Sequence, residues 1–171
     1  GRVAGRRGTV TRTARSQAVG AAVVVTAVLL SVTACGSEDG ASATAAENQG
    51  VEIEVDVPEG LEELPLERSR MERVFINLIG NALEAMPNGG KIRITAHEAA
   101  DGLRIEVEDN GPGIPEEIRA RLFEPFVTAG KKEGLGLGLA LARQTVLDHG
   151  GDMWTEPAAG ARFVIRLPRK R

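Results

Sequence analysis

Asn77-Leu78-Ile79-Gly80-Asn81-Ala82-Leu83-Glu84-Ala85 is the stretch that decides how the 171-residue chain folds. It lies inside a segment, Glu67 to Met86, in which Met71, Val74, Phe75, Leu78 and Ala82 recur every three or four residues. That spacing predicts a helix with one apolar face. Asn77, Asn81 and Glu84 fall at i, i+4 and i+7, so they share a second stripe. Carboxamides beside an apolar face are costly if buried without partners. Backbone groups or solvent could satisfy them, and so could phosphate oxygens and a Mg²⁺ ion. Mg²⁺ takes one or two protein oxygens and keeps its other positions for water and phosphate.

Two further blocks follow within about 60 residues: Asp109-Asn110-Gly111-Pro112-Gly113 and Gly134-Leu135-Gly136-Leu137-Gly138-Leu139. Asp109 closes an alternating run, so its carboxylate stands at a strand end. There it is either a local turn cap or an acceptor for the exocyclic amino group of adenine, which guanine lacks at that place. The adjoining glycines allow close approach of backbone to a flat ligand. The third block opens a helix, where free N–H groups and the helix dipole attract an anion. A plain flexible loop would read the same way.

Outward from these blocks the chain reads as one ordinary domain with an appendage. Val51, Ile53, Val55 and Val57 alternate with acids, as in a half-buried strand. Ile92 and Ile94, then Leu103, Ile105 and Val107, predict a hairpin turning near Asp101-Gly102. Pro115 to Leu122 predicts a short helix with Glu116 and Glu117 in its first turn. Leu137 to Leu147 predicts a longer helix closed by His149-Gly150-Gly151, with His149 a cation suited to the helix end. Asp152 to Thr155 and Arg162 to Leu167 supply two last strands. The expected architecture is α/β: a two-layer sandwich of helices on a mixed, mostly antiparallel sheet.

Hydrophobic residues make up 42% of the chain but aromatics only 3%, so the core is built from aliphatic side chains. The net charge of −3 excludes general nucleic-acid binding, which needs a basic patch. One cysteine excludes an internal disulfide and a multi-cysteine metal site. Charge is uneven: residues 1–30 hold five Arg and no acid, whereas residues 31–65 hold nine acids and no Lys or Arg. Ala18 to Leu30 is an apolar run too short for a membrane span, which takes about 20 residues. With the basic head before it and Val32-Thr33-Ala34-Cys35 after it, the run fits a lipoprotein-type export signal. Residues 1–35 are thus expected to be a signal or membrane anchor, 36–50 a flexible polar linker, and 51–168 the folded domain.

Taken in order, the three blocks resemble the N, G1 and G2 boxes of the ATPase domain of sensor histidine kinases, within the superfamily that also holds gyrase and chaperone ATPases. Phe123-Glu124-Pro125-Phe126 resembles the F box that anchors one end of the ATP lid. The resemblance runs from Val51 to Pro168, about two-thirds of the chain. It implies a Bergerat-type fold that binds Mg·ATP. It places Asn81 on Mg²⁺ and Asn77 near the phosphates, with Glu84 on the same stripe. It assigns Asp109 to adenine, with Gly111, Gly113 and Ile114 lining the base. Gly134, Leu135, Gly136, Leu137 and Gly138 are set around the phosphates, and Lys131 is set against phosphate charge. The pattern departs from the family's usual one at Thr128-Ala129-Gly130, where Lys131 stands one place late, and at Leu135, where Thr is common.

Related ATPases that hydrolyse ATP carry Glu where this chain has Asn77. Asn cannot accept a proton, so the resemblance implies phosphoryl transfer to a protein rather than hydrolysis. The expected acceptor is a histidine on a dimerisation domain, with a response regulator downstream. Neither His97, after a strand and followed by Glu98, nor His149 at a helix end suits that role. An exported leader also conflicts with a domain that needs cytoplasmic ATP. The expectation is therefore a leader foreign to the ATPase domain, which itself belongs in the cytoplasm. Two rival readings share the fold: an anti-sigma-type serine kinase, and a lipid-anchored nucleotide-binding module without catalysis.

Overall fold

The computed structural model describes residues 49–58, 61, 64, 66–128 and 136–169. The signal-like segment and most of the linker, with Ala18–Leu30 and Cys35, lie outside the described residues. No helix among the described residues is long and apolar enough to cross a membrane.

Among the described residues, five strands and three helices follow one another: β1 (Val51–Asp56), α1 (Arg68–Ala85), β2 (Gly90–Ala99), β3 (Gly102–Asp109), α2 (Glu116–Arg119), α3 (Gly138–Asp148), β4 (Asp152–Glu156) and β5 (Arg162–Pro168). They form one sheet in the order β1-β2-β3-β5-β4. β1 pairs parallel with β2, joined by α1 as the crossover, and the other pairs are antiparallel. The predicted mixed, mostly antiparallel sheet is therefore the observed one.

Period-2 alternation fills one sheet face with aliphatic side chains. Ile92, Ile94, Leu103, Ile105, Val107, Met153, Ile165 and Leu167 are all buried. α1 covers them with Met71, Val74, Phe75, Leu78, Ile79, Ala82 and Leu83. Each such side chain stabilises the fold by about 1.5–3 kcal/mol of hydrophobic transfer. The opposite face carries ion pairs, among them Arg104 with Glu106 and Glu156, and Arg162 with Glu108.

α1 and α3 lie antiparallel. At one end Arg70 pairs with Asp148, and the Glu67 N–H donates to His149 Nε2 at 3.1 Å. His149 Nδ1 sits 2.7 Å from the Thr145 carbonyl oxygen. The His149 ring thus ties the end of α3 to the start of α1. α3 ends in a Schellman motif: the Gly150 N–H donates to Leu147 O at 2.8 Å and the Gly151 N–H to Val146 O at 3.0 Å. α2 is shorter than the predicted Pro115–Leu122 helix. Glu116, Glu117 and Arg119 are exposed, so it lacks the apolar stripe that would extend it.

Candidate functional site

Asp109 ends β3 and is 6% exposed, the one charged side chain buried with the core among the described residues. Its Oδ1 accepts the Gly111 N–H at 2.9 Å and the Ala161 N–H at 3.3 Å. The Asp109 N–H donates to Ala161 O at 2.9 Å. Burial pushes the carboxyl above the usual carboxylate value, with a smaller upward push from Glu108, and the two N–H donors partly oppose it. Both of those hydrogen bonds fall on Oδ1, so Oδ2 is the oxygen left to receive a donor from outside.

The cradle depends on a strand pairing far along the chain. Glu108 sits opposite Arg162 in the β3–β5 register, which brings Gly160 and Ala161 beside Asp109. A Cβ on Gly160 would lie 2.0 Å from the Asp109 carbonyl oxygen and 2.8 Å from Oδ1. Only glycine lets the backbone pass so close.

The second block bends back over α1. Asn110 Oδ1 accepts the Lys91 N–H at 2.7 Å, while the Asn110 N–H donates to Lys91 O at 3.2 Å. Asn110 is therefore a brace between loop and sheet. A Cβ on Gly111 would touch Met86 Cγ at 3.0 Å, so the C-terminal end of α1 abuts this loop. Gly113 follows with φ +84°, and Ile114 packs partly buried against the core.

Asn77 and Asn81 are half-buried one turn apart, and Glu84 is exposed. Asn77 Nδ2 donates to Gly138 O at 3.2 Å, and a Cβ on Gly138 would lie 3.4 Å from Asn77 Oδ1. The first and third blocks are thereby neighbours in space. Leu137 caps α3 and has no side-chain oxygen to offer, and the first turn holds no acid. Among the described residues no side chain caps that end, which suits it to an anion. Lys131, Gly134 and Leu135 lie outside the described residues.

The arrangement has a carboxylate acceptor at one end and, at the other, a helix N-terminus without a side-chain cap among the described residues, flanked by the Asn77 carboxamide. Among the described residues no cluster of three or more His, Cys, Asp or Glu could hold a metal unaided. The donor set fits a Mg²⁺ ion that takes one carboxamide oxygen and draws its remaining ligands from phosphates and water. Gly160 and Ala161 belong to the site although the motifs did not single them out as site residues. In the sequence they are marked only as part of Gly160-Ala161-Arg162-Phe163, a turn into the last strand that belongs to the family resemblance.

The sequence profile of the histidine kinase-, DNA gyrase B- and HSP90-like ATPases matches residues 67–171. The chain is 42% identical over 125 residues to the alginate biosynthesis sensor protein KinB of Pseudomonas aeruginosa, covering 71% of this chain and 21% of that protein. It is 44% identical over 121 residues to the C4-dicarboxylate transport sensor protein DctB of Rhizobium meliloti strain 1021, covering 68% and 19%. It spans about a fifth to a third of the length of the curated relatives it matches. Among solved structures, the catalytic domain of histidine kinase ThkA superposes with a TM-score of 0.71 at 30% identity, covering 88% of this chain and 93% of that one. A mycobacterial sensor histidine kinase, MprB, gives 0.70 at 27% identity, covering 88% and 96%.

Proposed function

The chain belongs to the histidine kinase-, DNA gyrase B- and HSP90-like ATPases and carries the ATP-binding catalytic domain of a sensor histidine kinase; from this premise we propose that it binds Mg·ATP and donates the γ-phosphoryl group to a histidine outside this domain. The observation that carries the reading is the Asp109 cradle, a buried carboxylate with two backbone N–H donors on Oδ1 and neither of them on Oδ2.

Asp109 Oδ2 accepts the adenine amino group, and Gly111, Gly113 and Ile114 line the base. The triphosphate meets the N-terminus of α3, at Leu137 and Gly138, with Asn77 beside it. Asn81 is the residue suited to Mg²⁺, and Glu84 stands at the outer edge of the same stripe. Mg²⁺, when bound, neutralises charge on the phosphates. Asn77 cannot take a proton from water, which favours transfer to a protein acceptor over hydrolysis. Lys131, Gly134 and Leu135 complete the phosphate surroundings in this reading.

The acceptor lies elsewhere. His97 is an exposed strand residue, and both ring nitrogens of His149 are engaged, one with the Thr145 carbonyl of α3 and the other with the Glu67 N–H at the start of α1. The structure of ThkA with the response regulator TrrA supports a regulator as the downstream partner of this chain as well. A cytoplasmic setting is proposed on the same grounds.

Titration calorimetry with Mg·ATP, then incubation with γ-labelled ATP, tests the proposal. The chain should bind Mg·ATP and stay unlabelled alone. It should label a separately supplied histidine-bearing dimerisation domain in an acid-labile form. Absence of nucleotide binding refutes the site, and stable label on this chain refutes an external acceptor.

A further inference from the structure

Arg143, one and a half turns into α3, has no part in the nucleotide contacts above. Its guanidinium carbon lies 5.2 Å from the centroid of the Phe123 ring. Its Nη2 lies 3.3 Å from Asp152 Oδ1, an oxygen that also accepts the Met153 N–H at 2.8 Å. The ion pair thus holds the guanidinium to the start of β4. Phe163 of β5 meets the same Phe123 ring edge-on, with centroids 6.3 Å apart at 81°. Phe123 is therefore fixed from two sides, by a cation on α3 and an aromatic ring on the sheet.

Three residues beyond Phe123 the backbone enters a conformation that aromatic residues seldom adopt. Phe126 has φ +68° although its side chain is 72% exposed and gains nothing from burial. Its N–H donates to Gly136 O at 3.0 Å. Gly136 is itself at φ +68°, and a Cβ there would lie 2.8 Å from both the Phe126 carbonyl carbon and Val127 O. The two chain ends flanking residues 129–135 are joined at this point. Two residues after Gly136, α3 begins.

We propose that Arg143 is a positioning residue for nucleotide binding: by holding Phe123 from α3, it sets where the Phe126–Gly136 junction stands relative to the N-terminus of that helix. The proposal rests on reading that N-terminus as the phosphate site. The junction needs such support, because a bulky residue at positive φ persists only where its surroundings impose it. A cation over an aromatic face, reinforced by an ion pair, is a contact of suitable strength.

The test uses the full chain with Arg143→Ala and Arg143→Lys, read by Mg·ATP titration and by amide hydrogen exchange without nucleotide. Arg143→Ala should weaken Mg·ATP binding about 5- to 30-fold. It should speed exchange at Phe126 by a similar factor and leave the core amide of Ile105 unchanged, which also shows that the variant is folded. Arg143→Lys keeps a cation and should retain most of the parent's affinity and of its protection at Phe126. Combined with Phe123→Leu, which removes the ring, Arg143→Ala should cost little more than either change alone. Unchanged exchange at Phe126 overturns the clamp. Faster exchange with unaltered affinity overturns its bearing on the nucleotide, as does additivity with Phe123→Leu. If the parent chain fails to bind Mg·ATP, the nucleotide reading falls and this proposal with it, whereas a failure confined to the Arg143 variants leaves that reading standing.

Discussion

Asp109→Asn should move binding and stability in opposite directions. Oδ1 is held by the Gly111 and Ala161 N–H groups, so the introduced carboxamide must keep its oxygen there. The NH₂ group then takes the place of Oδ2 and points a donor at the adenine amino group. The complex loses a hydrogen bond to a charged group, about 1.5–3 kcal/mol, and gains an unsatisfied buried donor, a further 1–3 kcal/mol or so. A total of about 3–5 kcal/mol corresponds to a loss in affinity from about 100-fold to several thousand-fold. The fold itself should not suffer. Burial holds the Asp109 carboxyl above its usual value, so its favourable contribution is present below the unfolded pKa and is lost as pH rises through the folded one. At neutral pH the parent therefore carries the cost of a buried charge, and the variant does not. Its thermal midpoint should equal or exceed the parent's at pH 7, and the gap should close on acidification. Parent affinity should fall as pH drops through the Asp109 pKa, while the variant's stays flat. Calorimetric titration and thermal unfolding across about pH 4.5 to 8 read both signs. Affinity within about threefold of the parent, or a midpoint several degrees lower at pH 7, would refute the reasoning.

Gly160→Ala places a methyl group 2.0 Å from the Asp109 carbonyl oxygen, so thermal unfolding should show about 1–3 kcal/mol of destabilisation together with weaker nucleotide binding. Asn77→Asp removes the donor to Gly138 O and sets a carboxylate beside the phosphates. Two unit charges about 5 Å apart at an effective dielectric of about 20 repel by roughly 3 kcal/mol, so Mg·ATP affinity should fall by about 100-fold in calorimetry.

The elements were legible because the chain states them twice, in hydrophobic period and in punctuation. α1 shows a helical stripe from Met71 to Ala82 and stops at Pro87-Asn88-Gly89. β2 and β3 show strict alternation, and the register Ile94↔Val107 is the one their buried faces demand. What stayed hidden required pairing at long range. Ala161 reaches Asp109 only because β5 lies beside β3, 52 positions along the chain; the Gly160-Ala161-Arg162-Phe163 turn was legible as the entry to a last strand, but not as a partner of Asp109. The Arg143–Phe123 contact and the positive φ of Phe126 are equally silent, since each depends on where α3 returns to the sheet. The partner of His149 was hidden for a related reason: a helix-end position says nothing of the Glu67 N–H that reaches its ring from the start of α1.

α1 acts as a ruler across the site. Asn77 touches the start of α3, and Met86 touches the loop that follows Asp109. Nine residues at about 1.5 Å each separate these points by about 13 Å, the span a ligand would need to reach from the start of α3 to Asp109. That geometry predicts base selectivity as well as affinity. Guanine presents a carbonyl oxygen where adenine presents its amino group, and that oxygen would face Asp109 Oδ2, acceptor against acceptor. The parent should therefore prefer ATP over GTP by at least about 100-fold, the scale set by a polar site left unpaired. In Asp109→Asn the amide NH₂ can donate to the guanine oxygen, so GTP should lose far less than ATP and the preference should shrink to within about tenfold. Full inversion is not expected, because guanine also differs from adenine at its ring nitrogen and its own amino group, away from Asp109. Competition titrations of both nucleotides against both proteins give the four affinities. A preference that survives Asp109→Asn unchanged would mean that the base is read by other groups and that the buried carboxylate serves the fold alone.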